Sequence, residues 1–333
     1  MPVDGDYRIT VVSQPTGLTC SINEGQGLAV GAKGAGLRTP SGSTGPEFEA
    51  GEVYVYTRTA GAWTEQARLK GRYTDRADRF GYSVALSTDG SLLAICAMKD
   101  GSNAAGINGD ETNNAMGNAG AVFIFTRQGT AWTQQAYIKP SHPGAADYFG
   151  SSVALSADGT TLAVGSYLED SGSPGVNGNP ADNSVLNSGA AWVFIRSGAT
   201  WSQQAYLKAS NTGANDRFGN RVALSADGKT LAVGAWGEDS AAKGVGGTED
   251  DNSATNSGAA YLFTFSGGSW SQKAYVKASN TRNEIAYFGT GIALSGDGLT
   301  LAVSAPEESS KTPGVNGPQN DMSAPKAGAV YLY

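Results

Sequence analysis

Residues 217–239 read RFGNRVALSADGKTLAVGAWGED, and the same phrase returns as YFGSSVALSADGTTLAVGSYLED from Tyr148 and RFGYSVALSTDGSLLAICAMKD from Arg79. A fourth copy, YFGTGIALSGDGLTLAVSAPEES, begins at Tyr287. Self-similarity at a fixed period is the mark of a repeat architecture. Two independent markers carry the period: Phe80, Phe149, Phe218 and Phe288 are spaced by 69, 69 and 70 residues, and Trp63, Trp132, Trp201 and Trp270 by 69 each time.

Each unit reads as four short strands. The first runs from the Phe-Gly pair (Phe218 to Ser225) and ends in an Asp-Gly turn at 227–228, repeated at 89–90, 158–159 and 297–298. Asp-Gly between apolar runs signals a hairpin, because glycine takes positive φ freely and Asp bonds its own backbone. The second strand, LAVGA from Leu231, is an apolar run that suits burial on both faces. The third is GAAYLF from Gly258, echoed by GAAWVF at 189, GAVFIF at 120, GAVYLY at 328 and GEVYVY at 51. The fourth starts at the recurring Trp and alternates polar with apolar residues through SQKAYVKAS, as an outer strand would.

No helix-length amphipathic stretch competes with this reading. Four-stranded antiparallel units stacked on copies of themselves predict an all-β chain, a single β-propeller domain over residues 1–333. The units fall at about 14–78, 79–147, 148–216, 217–286 and 287–333, the first being diverged, with LTCSINEGQGLAVGA at 18–32. The last unit stops after its third strand at Tyr333, while a spare strand, DYRITVV, lies at 6–13 ahead of the first repeat. Pairing the two ends would close a five-bladed ring and leave no sheet edge bare. A fragment of a larger ring is the alternative.

Composition narrows the partners. A net charge of −7 with only 16% charged residues argues against nucleic acid, which needs clustered Lys and Arg. No apolar run is long enough to span a bilayer, so membrane insertion is not expected. Residues 1–15 lack the basic start and apolar stretch of a signal peptide, which suggests an excised mature domain or another export route. Cys20 and Cys96 stand in different repeats and make no disulfide framework.

The Phe-Gly pair, followed about a dozen residues later by LAVGA plus one residue, resembles the FG-GAP repeat of integrin α-subunit propellers, shared by bacterial surface proteins and some lectins. LAVSAP at 301–306 keeps the proline of that pattern; Lys33, Met98, Tyr167 and Trp236 replace it elsewhere. The resemblance implies a propeller that binds a glycan or a cell-surface or matrix protein, on a cell surface or outside the cell, without catalysis. A spacer domain in a larger surface assembly is a second expectation.

The loops between second and third strands, at 100–119, 170–188, 239–257 and 307–327, exceed the ~12–15 residues usual in a compact domain. They place the binding surface on one rim. Met98, Tyr167 and Trp236, at one structural position but unlike in chemistry, are candidate ligand contacts together with the loop residues Asn177 and Asn316. Glu169, Asp170 and Asp182 in one loop match Glu238, Asp239 and Asp251 in the next; these hard oxygen donors are candidates for Ca2+. Asx-turns that merely hold the loops are the competing reading. The calcium loop of integrin-like repeats does not carry over, since the turn SADGT is too short for a cage. Asp78, Asp147 and Asp216, each two residues before a Phe-Gly, raise a third possibility, paired carboxylates of a five-bladed glycoside hydrolase. Near-identical repeats argue against it, because catalysis needs two carboxyls in unlike environments. His142, the only histidine, rules out a His cluster or a Ser-His-Asp triad.

Overall fold

The structure, a computed structural model, describes the backbone of Leu18–Asn23 and Leu28–Lys33 and, in full, residues 50–59, 62–282 and 285–333. Every regular element among these residues is a strand. The first sheet holds β1 (Leu18–Asn23), β2 (Leu28–Lys33), β3 (Glu52–Thr59) and β4 (Ala62–Leu69). The second holds β5 (Phe80–Leu86), β6 (Leu92–Ala97), β7 (Ala121–Gln128) and β8 (Ala131–Ile138). The third holds β9 (Ser152–Leu155), β10 (Thr161–Ser166), β11 (Ala190–Ser197) and β12 (Thr200–Leu207). The fourth holds β13 (Phe218–Leu224), β14 (Thr230–Ala235), β15 (Ala259–Ser266) and β16 (Ser269–Val276). The last contains β17 (Ile292–Leu294), β18 (Leu301–Ala305) and β19 (Ala329–Leu332). Within each sheet the strands lie in chain order and pair antiparallel, the arrangement of propeller blades.

The Ser-x-Asp-Gly turns explain the tight inner hairpins. Asp158 Oδ1 accepts from Ser156 Oγ (2.6 Å) and from the Thr160 amide (2.9 Å), while Gly159 takes φ 67°. The same bonds recur at Asp89, Asp227 and Asp297. The turns also join one another: the Thr88 amide donates to Ala157 O, Ala157 to Ala226 O and Ala226 to Gly296 O, at 2.8–2.9 Å. One rim is thereby a chain of short turns bonded sheet to sheet.

The Phe-Gly pair starts the strand in β5 and β13 and also makes a turn. The Asn220 amide donates to Arg217 O (3.2 Å), and Gly219 has φ 88°, a type II turn with its obligatory glycine third. β5 and β13 run from the Phe for seven residues, as the sequence pattern implies, whereas the regular part shrinks to four residues in β9 and three in β17. The turn brings each Phe amide onto the preceding sheet: Phe149 donates to Ala119 O, Phe218 to Ser188 O and Phe288 to Ser257 O, at 3.0–3.1 Å.

The core lies between sheets rather than within them. Four clusters of buried side chains alternate with the sheets, each shared by two neighbours. Phe218 packs edge-on to Tyr261 (5.3 Å) and Phe263 (5.9 Å), and burying one such ring contributes roughly 1.5–3 kcal/mol. The second strands β6 and β10 are buried along their whole length, as their apolar runs require. The recurring Trp ties outer strands together: Trp132 Nε1 donates to Gln66 Oε1 (3.2 Å) and Trp270 Nε1 to Gln204 Oε1 (2.8 Å).

The inner strands β5, β9, β13 and β17 line an apolar space of about 340 Å3 through Val84, Leu86, Leu155, Val222, Leu224 and Leu294, among others. The last sheet has three strands among the described residues. The spare strand expected at 6–13, the Glu24-Gly25 pair that stands where the later units have Asp-Gly, and the side chains of Cys20 and Lys33 lie outside the residues described in full.

Candidate functional site

The long loops begin at an acid that turns out to be buried. Glu169 Oε2 meets Lys208 Nζ at 2.8 Å, and its other oxygen accepts from Tyr206 OH at 2.7 Å. Lys208 also donates to Ser188 Oγ (2.7 Å). The arrangement recurs in the next sheet with Glu238, Lys277, Tyr275 and Ser257, and in the second sheet with Asp100, Lys139 and Tyr137. All three lysines are fully buried. Burial pulls each ammonium below its usual range, and the facing carboxylate holds it up. Sequence reading missed these lysines because the fourth strand looks half-exposed; their 69-residue recurrence in step with the loop acids was the available signal.

The remaining loop acids hold backbone. Asp170 accepts from the Asn187 amide and Asp239 from the Asn256 amide, both at 2.6 Å. Asp182 caps Gly172 and Ser184 (3.0 Å each), and Asp251 caps Ser253 (3.0 Å). With Glu169 and Glu238 neutralised by lysine and the others turned onto amides, the six do not fit a Ca2+ cage, which takes 6–8 oxygens about one centre. Among the described residues no group of three or more His, Cys, Asp or Glu converges in a way that could hold a metal ion.

Asn177 is likewise a loop anchor. Its amide donates to Tyr206 O (2.7 Å) and its Oδ1 accepts from the Tyr206 amide (3.0 Å), while Val176 bridges to Leu207. The loop thus adds one rung outside β12, and its counterparts do the same on β8 and β16. The long loops therefore wrap outward over their own sheets. Asn316, at the matching place in the last unit, is exposed with φ 56°.

Asp78, Asp147 and Asp216 are buried, one per sheet, and each accepts from the amide three residues earlier. Burial pushes each carboxyl up to about 7, with the acids Asp100, Glu169 and Glu238 adding to the rise. They are equivalent in setting and closed off from a substrate, whereas glycoside hydrolysis needs two accessible carboxyls of unlike acidity.

The residues just before Phe-Gly form a different kind of site. Arg79, Tyr148, Arg217 and Tyr287 all sit in the left-handed region, at φ 52–59°. That costs a non-glycine residue roughly 1–2 kcal/mol. From there they meet the ends of the second strands. Tyr148 stacks on Tyr167 (5.8 Å, 21°), Arg217 lies 4.1 Å over the Trp236 ring, and Tyr287 meets Trp236 edge-on (5.0 Å). Tyr167 lies within electrostatic reach of both Arg79 and Arg217. Tyr167 and Trp236 are half-buried, and Tyr82 beside them is exposed, whereas Met98 is buried and presents no surface. Sequence reading found the second-strand ends but not their partners.

The repeat profile agrees with this architecture. The sequence profile described as FG-GAP repeat matches residues 63–125, 132–194 and 201–263, together more than half of the chain. No curated protein matches. Among solved structures, a candidate 6-phosphogluconolactonase from Bacteroides uniformis is similar at 12% identity and a TM-score of 0.38, over 85% of this chain and 77% of that one. Each profile match runs from a recurring Trp through the Phe-Gly turn, the Asp-Gly hairpin and the apolar second strand into the third, the same frame the structure repeats. The chain belongs to the FG-GAP repeat family.

Proposed function

We propose that this chain is a non-enzymatic binding module, a five-bladed propeller that recognises a glycan or a protein ligand through the rim carrying its long loops, at a cell surface or outside the cell. The observation that carries the reading is the inequality of the two rims. One consists of Asp-Gly turns bonded to one another, with every turn carboxylate occupied. The other offers Tyr148, Arg217 and Tyr287, held in strained backbone at the sheet joints, and the Tyr167 and Trp236 rings that they meet. Backbone strain at this one place in four repeats among the described residues is the kind that clusters at functional sites. Among the described residues no helix is long and apolar enough to cross a membrane.

Ring closure by the strand at 6–13 belongs to the same proposal. Val330 and Leu332 of β19 are 67% and 70% exposed, whereas their counterparts Ala260 and Leu262 pair with β16. Glu308, matching Glu238, is only 3% exposed and bonds Asn280 and Ser310, with no lysine facing it among the described residues. A buried carboxylate without a cation is costly. The seat beside β19 calls for a strand bringing a positive charge, and Arg8 is the basic residue of DYRITVV.

Glycan-array screening, together with affinity capture on surface proteins, tests the function. Binding should be lost in Tyr167→Ala/Trp236→Ala and kept in Lys229→Ala on the turn rim. Binding that survives the first variant and fails in the second would reverse the assignment of the rims.

A further inference from the structure

Arg217 makes a closer approach to an aromatic ring than Arg58 or Arg68 do. Its guanidinium rests 4.1 Å over Trp236, its Nε is buried without a hydrogen-bond partner, and no carboxylate pairs with it among the described residues. A guanidinium lying on an indole ring is held flat, with its outer edge free to fork onto a planar anion. The neighbouring Asp216 is turned inward onto the Gly213 amide (2.7 Å) and does not neutralise it. The turn carboxylates Asp89, Asp158, Asp227 and Asp297 belong to the opposite rim. On a chain of net charge −7, the joint around Arg217 is thus a local cationic spot beside aromatic surface.

We infer that Arg217, held against Trp236 beside the stacked Tyr148–Tyr167 pair, is the receptor for the carboxylate of an acidic sugar. This rests on the binding-module reading above and names its ligand class. With Arg79 the other guanidinium within electrostatic reach of Tyr167, the site suits a single carboxylate, since a polyanion would face the overall negative charge without a row of cations. Bidentate pairing of Arg with a carboxylate gives both strength and orientation. The neighbouring Tyr rings supply an apolar flank of the kind that packs against a sugar face. Trp236 serves as the rest on which the guanidinium lies, one ring face being taken by Arg217 and its edge by Tyr287.

The test titrates the full chain with uronate- and sialate-bearing oligosaccharides, each beside its methyl ester, by calorimetry. The free acids should bind at least about tenfold more tightly than their esters. Arg217→Gln should abolish that preference, and Arg217→Lys, which keeps the charge but not the fork, should retain only part of it. Thermal melting of both variants close to the parent establishes that folding is unchanged; Arg217→Lys alone serves if Arg217→Gln unfolds. Equal binding of acid and ester, an unaltered preference in Arg217→Gln, or tighter binding of a Glu-rich peptide than of any acidic sugar would overturn the inference while leaving the binding module intact. Absence of binding to every glycan and every captured protein would instead sink the module reading itself.

Discussion

Gly165 and Gly219 face each other across the joint of two sheets, so closely that a Cβ on Gly165 would collide with the Gly219 carbonyl oxygen. One is the glycine of LAVG in its repeat and the other the glycine of Phe-Gly in the next. The two halves of the family's signature are therefore one contact: the type II turn of each unit lies on the second strand of its predecessor. Gly234 and Gly289 repeat the contact at the next joint.

Glycines before the third strand should be equally intolerant. Gly189, at φ 81°, lies against the Phe218 backbone, and its Cβ would overlap the carbonyl oxygen. Gly198, in the outer hairpin at φ 61°, has open space around it. Gly189→Ala should cost more than about 4 kcal/mol or prevent folding, whereas Gly198→Ala should cost about 1 kcal/mol. Urea denaturation of the two variants checks this, and comparable losses would discredit the joint as the point of strain.

Removing a buried lysine should be far worse than removing its whole pair. Lys208→Met leaves Glu169 charged and buried, at a cost of about 3–5 kcal/mol; Lys208→Met/Glu169→Leu should recover most of that. Chemical denaturation of single and double variants measures it. A single variant within 1 kcal/mol of the parent would mean that the pair is not sealed from water.

Stability should fall as pH rises from about 4 towards neutrality. Asp78, Asp147 and Asp216 titrate near 7 when folded and, as ordinary carboxyls, near ~3.9 when unfolded, so the native state holds the extra protons. Their contribution is fully present below the unfolded value and is lost as pH rises to about 7, on the order of a few kcal/mol each. The turn carboxyls Asp158 and Asp227 lie below their usual range, so they act in the opposite sense and weaken the fold in stronger acid. A stability maximum near about pH 4 follows. Asp147→Asn should flatten the slope between pH 5 and 8; an unchanged slope would acquit that residue.

Cys96 occupies the place held by Gly165 and Gly234 in the other repeats, with its Sγ accepting from the Ser83 amide at 3.0 Å. Burial pushes the thiol up to about 12. In a Cys20→Ser background it should resist thiol reagents at pH 8 until the protein unfolds. Rapid labelling of folded protein would show that the joint opens.

Much of the fold was legible from periodicity alone. The Asp-Gly hairpins, the buried second strand and the Trp-led fourth strand all stand where the repeat places them. The Phe-Gly pair starts the strand in β5 and β13 as the pattern implies, but the type II turn that it also makes has no sequence signal beyond its glycine. The loop acids were legible as a pattern and not as a role. Whether Glu169 meets a metal or Lys208 depends on a strand 39 residues away that only folding brings near. Arg217 drew no reading from the sequence, since neither its positive φ nor its place over Trp236 has a sequence signal.

The two unequal rims, and the site at their sheet joints, presuppose an annulus. Amide hydrogen exchange on the full chain, resolved to single peptides, reports on it most directly. Residues 7–12 should be protected together with 329–332, and Arg8→Gln should release both segments at once. Free exchange of 7–12 in a protein whose other third strands are fully protected would show an open arc, and the ring would be wrong.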